Sequence, residues 1–323
     1  MLDQPNQSDH TIRPEPLAIS ELRIGSTIRG WLLAIEVQTR MATNGTPYLH
    51  LKLRDPRGNE IVARQFDPPR MEALSPQEGK VLLVAGAVEE YRGQLQIKLT
   101  RAEVDEAAPL DLFVLGTRRS LVKLEADFQQ LMAEVQHPGL VALLRCCFTP
   151  EVQARFRRWP AAVRQHGAVV GGLLEHTVNV TLIAKRFSQL YPCNQSLVLT
   201  GALLHDIGKL EELDEQVGAK FTLFGRMVGH IVLGMQYVQL QAQQIQDLDE
   251  ATLQDLLHII LAHHGTPAFG SPVCPATIEA LIVHQADTAE AHLTSFLEHC
   301  QRTSGPDGWT PYNGAFGGSI RMP

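Results

Sequence analysis

The sequence predicts a multidomain chain of the α and β class, with a small N-terminal five-stranded β-barrel followed by an all-α domain. Two observations carry this expectation. Apolar residues alternate every second position through Ile28 to Thr100, with turn residues between the runs, whereas from Ser120 onward they recur with the spacing of amphipathic helices. A chain of 323 residues is also long enough for two domains that each bury a core.

In the first half, Leu49, Leu51 and Leu53 alternate with Tyr48, His50, Lys52 and Arg54, and Leu95, Ile97 and Leu99 alternate with Gln94, Gln96, Lys98 and Thr100. Each such strand has one apolar face and one polar or aromatic face. Asn44-Gly45, Pro56-Arg57-Gly58 and Arg92-Gly93 break the region into about five strands, and a short non-strand segment, Met71 to Glu78, follows the third. This arrangement matches an OB-fold, whose second and third strands commonly face single-stranded nucleic acid. Residues 17–106 are therefore expected to form an OB-like nucleic-acid-binding domain behind a flexible polar tail, 1–16. Trp31, Tyr48 and Phe66 are candidate stacking surfaces; Lys52, Arg64, Arg92 and Lys98 are candidates to follow phosphates. The competing reading makes these aromatics core or edge residues, and barrels of this kind also bind sugars and proteins.

Residues 107–165 are expected to be a helical connector. Leu121, Leu124, Phe128, Leu131, Met132 and Val135 form a helix stripe, His137-Pro138-Gly139 breaks it, and a second helix runs through Leu140 to Phe148. Arg155, Arg157, Arg158 and Arg164 follow as a basic cluster, read either as a solvated helix face or as a phosphate track.

The remainder, 166–312, carries His176, the pair His205-Asp206, His230, the pair His263-His264 and Asp287, each in or beside a helical segment. Gly171-Gly172 permit a tight turn before a helix that reaches about Tyr191 and carries His176 early. A helix from Leu199 to Leu213 carries His205 and Asp206, which point about 100° apart and can straddle an ion. Lys209 lies three residues on, placed to neutralise a phosphate oxygen or to pair with Glu212 or another carboxylate. His230 opens a further helix, His263 and His264 end the helix that starts at Leu256, and Asp287 lies in a last long helix, Ile278 to His299. A lone histidine on an apolar helix is more often a core residue. An ordered set of buried imidazoles and carboxylates is costly without a shared partner, and these donors suit Mn, Fe, Co, Ni or Zn, with Mg also open. His176, His205, Asp206 and Asp287 are expected to hold one ion, and His230, His263 and His264 a second, with Asp206 bridging. His258, His284, His292 and His299 are expected to be structural or exposed.

Composition narrows the alternatives. The chain has 44% apolar and 20% charged residues, an ordinary soluble balance, and no apolar run approaches the roughly 18 residues of a membrane span. Its polar N-terminus lacks a basic-then-apolar signal, so a cytoplasmic location is expected. Five scattered cysteines without a CxxC spacing read as free thiols. The net charge of −7 argues against a generic polyanion binder, yet Leu17 to Val104 carries 12 Lys/Arg against 10 Asp/Glu. There is no GxSxG elbow, Walker A loop or HExxH helix. The Gly-rich stretch Gly314 to Gly318 reads as part of a mobile tail, 313–323.

The order His176, His205-Asp206, Asp287 resembles the HD superfamily of metal-dependent phosphohydrolases. Gly171-Gly172-Leu173-Leu174-Glu175-His176-Thr177, Leu203-Leu204-His205-Asp206-Ile207-Gly208-Lys209, Gly229-His230-Ile231 and His263-His264-Gly265, behind an OB-like module, are similar to the YhaM-type 3'-to-5' exoribonucleases. The resemblance runs from about Leu22 to Tyr312. It implies manganese dependence, with Asp206 and Lys209 catalytic, and stepwise release of nucleoside monophosphates from single-stranded RNA, with single-stranded DNA as a second substrate class. A paired histidine that such proteins often carry is His166-Gly167 here. The rivals are an HD phosphodiesterase for a small nucleotide or cyclic dinucleotide, and a catalytically silent nucleic-acid-binding protein. The apolar surface of the helical domain is compatible with a homo-oligomer.

Overall fold

The structure, a computed structural model, describes residues 14–66, 76–109, 112–113, 117–161, 170–214, 220–302 and 306–322. The chain divides into two compact units, Met1–Val114 and Leu115–Pro323.

Unit one is a closed five-stranded barrel. Its strands are β1 (Thr27–Met41), β2 (Pro47–Arg54), β3 (Glu60–Gln65), β4 (Val81–Tyr91) and β5 (Gln94–Val104). They close in the order β1-β2-β3-β5-β4, with β3 and β5 parallel and the other pairs antiparallel. The alternation seen in the sequence is the pleat: Leu51 pairs with Ala63, Ala63 with Ile97 and Ile97 with Val88, and all four side chains fill the interior. Their neighbours His50, Arg64 and Lys98 form a cross-strand row on the opposite face. This is an OB-like barrel. The non-strand segment expected at 71–78 lies largely outside the described residues, as does the N-terminal tail before residue 14.

Unit two holds ten described helices: α1 (Leu121–Ala133), α2 (Pro138–Cys147), α3 (Pro150–Phe156), α4 (Gly172–Ser188), α5 (Gln195–Leu204), α6 (Lys209–Glu212), α7 (Leu223–Val228), α8 (His230–Ala242), α9 (Glu250–Ala262) and α10 (Ile278–Arg302). Local signals set their starts. Pro138 and Pro150 occupy first turns, while the side chains of Thr149, Asn194, Thr222 and Asp249 accept hydrogen bonds from first-turn amides. One apolar core joins Leu124, Phe128 and Leu131 of α1 to Leu173 and Val178 of α4, Leu203 of α5, Val238 of α8, Ile259 of α9 and Val283 of α10.

Three expectations change. The segment 107–165 is not a separate connector in its helical part: α1 to α3 share the core of the following helices, and Phe128, Phe148 and Phe156 form a ring cluster with centroids 5.0 to 5.7 Å apart. The helix expected from Leu199 to Leu213 stops at Leu204, because the His205 ring takes the Ala202 carbonyl and a tight turn, His205 to Gly208, precedes α6. Of the Arg cluster, Arg157 and Arg158 are exposed. Arg155 lies over the Trp159 ring and bonds the Leu210 carbonyl, and Arg157 pairs with Glu125; Arg164 lies outside the described residues. The tail at 313–323 folds back: the Thr310 amide donates to Ile320, the Asn313 amide to Gly318, and Phe316 packs edge-on against Phe296. Gly317, at a φ of +69°, supplies a turn there rather than slack.

Because the Phe cluster belongs to the same core as the His-bearing helices, Phe148→Ala is expected to destabilise the whole helical unit by about 3–5 kcal/mol. Urea unfolding followed by helical circular dichroism should give one shifted transition. A separate early transition confined to α1–α3 would count against a shared core.

Candidate metal centre

The sequence-predicted ligands converge. His176 projects from the first turn of α4, which the positive φ of Gly171 (+79°) allows the chain to enter sharply. His205 and Asp206 come from the turn after α5, His230 from the first residue of α8, His263 and His264 from the end of α9, and Asp287 from α10. Two groups of donor atoms, His176–His205–Asp287 and His230–His263–His264, each lie within 4.8 Å of one another.

Asp206 stands between the groups and is 2% exposed. Its Oδ2 is 3.3 Å from His176 Nε2, 3.4 Å from His205 Nε2 and 2.6 Å from Lys209 Nζ. Its Oδ1 is 3.4 Å from His230 Nε2 and 3.8 Å from His263 Nε2. Asp287 Oδ1 lies 3.2 Å from His176 Nε2.

The outer edge of every imidazole is tied down. Nδ1 of His176 meets Glu290 Oε2 at 2.7 Å, and Nδ1 of His230 meets Glu212 Oε1 at 3.1 Å. Nδ1 of His205, His263 and His264 meets the carbonyl of Ala202, Ile260 and Phe269 at 2.7, 2.7 and 2.9 Å. A carbonyl or carboxylate can only accept, so each Nδ1 carries a proton, and a ring in its neutral form turns its Nε2 lone pair inward. That is the ligand form of histidine with its supporting shell.

The centre also leaves polar atoms unanswered. Asp206 Oδ1, His230 Nε2 and His263 Nε2 are buried without a hydrogen-bond partner, although they face one another. Buried orphans normally cost about 1–3 kcal/mol each. All three are metal-donor atoms, so the residues present fit a divalent cation.

The electrostatics agree. Burial would raise Asp206, yet Lys209, His205 and His176 hold it well below the usual carboxylate range. Burial would lower His176, yet Asp206, Asp287 and Glu290 hold it well above the usual histidine value, a demand for positive charge at that spot. Burial and the neighbouring His205 push His263 well below its ordinary value, so that ring stays neutral. Lys209 is partly buried and pairs with Asp206 in the centre rather than on the surface with Glu212.

Glu290 and Glu212 were not among the sequence candidates. A helical count shows both: Glu290 lies three residues beyond Asp287 and Glu212 three beyond Lys209, each on the same helix side. Of the histidines set aside, His258 accepts from the Ala276 amide and His284 Nδ1 meets the His263 carbonyl, both structural contacts.

On the barrel, Tyr48 and Phe66 stack with centroids 5.1 Å apart, and Phe66 is 40% exposed. Arg64 and Arg92 lie over the Tyr91 ring at 4.5 and 5.3 Å; Lys52 pairs with Glu60, and Lys98 is exposed. Trp31 is not an open platform. It is buried, its indole N–H donates to Asp105 at 2.9 Å, and residues 15–17 pair along its backbone.

A helical unit with a His/Asp centre of this order is an HD domain, and the HD domain family model matches residues 173–292. The chain is 32% identical over 278 residues to the 3'-5' exoribonuclease YhaM of Oceanobacillus iheyensis, covering 84% of this chain and 86% of that protein. It is 30% identical over 311 residues to the YhaM proteins of Listeria welshimeri and Listeria innocua, covering 92% of this chain and 98% of each. The chain belongs to the YhaM family. The barrel matches the second OB-fold domain of replication protein A from Methanococcus maripaludis at 18% identity and a TM-score of 0.23, over 29% of this chain and 97% of that one.

Gly208 sets the approach of His230. A Cβ there would overlap the His230 carbonyl, whereas one on Gly234 would meet its nearest atom, Gly208 N, at 3.2 Å. Gly208→Ala is expected to destabilise the helical unit by about 1–3 kcal/mol and to move the His230 imidazole signals in a long-range proton–nitrogen spectrum. Gly234→Ala should do less of both. Equal spectra for wild type and Gly208→Ala would remove this packing argument.

Proposed function

We propose that the protein is a metal-dependent 3'-to-5' exoribonuclease that hydrolyses single-stranded RNA to nucleoside monophosphates, acting in the cytoplasm. The observation that carries the reading is the ring of Nδ1-anchored imidazoles around one buried, half-unsatisfied Asp206, in a chain that matches named exoribonucleases along most of its length.

His176, His205, Asp206 and Asp287 would hold one divalent ion; Asp206, His230, His263 and His264 would hold a second, with manganese the first metal to test. When bound, such ions supply Lewis acidity to a phosphodiester and activate water. The chain's own residues do the rest. Asp206 turns one carboxylate oxygen to each ligand group, so one side chain sets the distance between them. Lys209 uses one N–H on Asp206 Oδ2 and has two more to donate to a non-bridging phosphate oxygen as its charge grows. Glu290 and Glu212 keep His176 and His230 in the tautomer that can bind. Hydrolysis joins the oxygen of a water to phosphorus and breaks the bond from phosphorus to the 3' oxygen of the preceding nucleotide, which takes a proton from that water, and leaves the phosphate on the released nucleotide.

The barrel supplies grip. The Tyr48–Phe66 stack and the arginines over Tyr91 lie on or beside the β2–β3 face, where OB-folds receive unpaired strands. Single-stranded DNA fits the same face and is the second substrate to test.

A 5'-labelled RNA incubated with manganese should shorten in a ladder from its 3' end and be protected by a chelator. Asp206→Ala should lose both turnover and manganese binding, and full activity in that variant would end this mechanism. Preference for mononucleotide esters over oligonucleotides would move the reading to a small-nucleotide phosphodiesterase. Removing one base-stacking partner costs roughly 1–3 kcal/mol, so Tyr48→Ala should raise the KM for RNA about tenfold. Hydrolysis of a small chromogenic phosphodiester should not change; a loss on both substrates would argue against a gripping role for Tyr48.

A further inference from the structure

Glu290 is 5% exposed, on the side of His176 away from the centre. It is held from behind. Thr294 Oγ1 donates to Glu290 Oε1 at 2.8 Å, and Asn179 Nδ2 donates to the same oxygen at 3.2 Å. The Arg118 guanidinium donates to Thr294 Oγ1 at 2.7 Å and lies 3.7 Å from Glu290 Oε1. The direction of this chain is forced: arginine cannot accept and a carboxylate cannot donate, so the Thr294 hydroxyl receives from Arg118 and gives to Glu290.

The segment carrying Arg118 is fixed to the same helices independently. The backbone amides of Arg118 and Arg119 donate to the Glu175 carboxylate at 3.1 and 3.0 Å, next to His176 in sequence. The Arg119 side chain reaches Asn179 at 3.2 Å and pairs with Asp127. The backbone clamp needs no particular side chain at 118, whereas the contact with Thr294 and Glu290 does.

We propose that Arg118 is a positioning residue for the metal centre: through Thr294 and Glu290 it holds the His176 imidazole in the orientation that presents Nε2 to a divalent cation. The Arg118 side chain contacts Thr294 and Glu290 rather than a metal-donor residue. It is one-third exposed, at the start of the helical unit and four residues beyond the boundary with the barrel, and it acts on the centre only through buried Glu290. The inference rests on the metal-dependent reading above.

The test titrates manganese into metal-free, full-length wild type, Arg118→Ala, Arg118→Lys, Thr294→Val and the Arg118→Ala/Thr294→Val double variant by calorimetry. kcat and KM on a labelled RNA are measured on the same preparations. Loss of a supporting partner typically weakens metal binding by roughly 10–100-fold. Arg118→Ala, one step further out, should weaken one manganese step by about the lower figure and lower kcat in parallel, with KM unchanged. Arg118→Lys should recover part of the loss. Because Arg118 acts through the Thr294 hydroxyl, the double variant should be no worse than Thr294→Val alone. Wild-type manganese affinity and kcat in Arg118→Ala would overturn the proposal, and so would losses that multiply in the double variant. If Arg118→Ala does not fold, Thr294→Val decides, since it removes the relay hydroxyl and keeps the branched shape. Wild type that binds manganese but leaves RNA intact would sink the exoribonuclease reading instead, and the titrations would still judge Arg118.

Discussion

The helical unit is arranged around one constraint, a buried carboxylate that no protein donor satisfies on one side. Asp206 Oδ2 has Lys209, His176 and His205; Oδ1 has only the bare Nε2 atoms of His230 and His263. Lone pair facing lone pair in a buried cluster is unfavourable until a cation lies between them. The five elements that bring histidines or carboxylates here can be packed against one another only because a large core holds them from behind. Leu173 and Leu174 precede His176, Leu203 and Leu204 precede His205, and Ile259 and Ile260 precede His263, and all six are buried. The apolar residues next to each ligand lock its helix, and the ligand takes the remaining direction.

The anchoring scheme follows from the same economy of donors. Three histidines use a carbonyl near their own helix or turn, a partner that costs the sequence no extra residue. His176, early in α4, and His230, the first residue of α8, each recruit a carboxylate from another element. Those two are therefore the ligands whose geometry depends on tertiary packing. For His230 the dependence is tight: Glu212 also accepts its backbone amide at 3.0 Å, and Gly208 lets the turn press against its carbonyl.

Much of this was legible from residue types and periods. The alternation in β2 and β5 gives the barrel's inside and outside, because a pleat has a fixed period of two and the core accepts only one face. The donor set was legible because histidines and aspartates recur at helix starts and ends in an otherwise apolar run. The supporting carboxylates were not, since a glutamate on a helix looks the same whether it faces water or a ring; only the three-residue offset from Asp287 and Lys209 distinguishes them. Trp31 misled for a related reason. The pleat puts it outside the barrel core, but its indole N–H is taken by Asp105, and a partner supplied from a distant part of the chain leaves no local trace. The helix break at His205 has its signal in Gly208, whose missing side chain matters only once α8 is in place.

The unsatisfied centre ties stability to function. Each orphaned donor atom lowers the stability of the metal-free fold, and a cation that binds only the folded state restores it in proportion to its concentration over its dissociation constant. An HD unit built this way keeps its ligands poised rather than collapsed, because Glu290, Glu212 and the three carbonyls hold the rings apart from outside. A looser support would let His176 or His230 rotate and find a partner of its own. The protein would gain stability without metal and lose the opening that the chemistry uses. The hydrogen-bonded outer shell and the unsatisfied inner one are two sides of one arrangement, and the shell is where changes distant from substrate should still be felt.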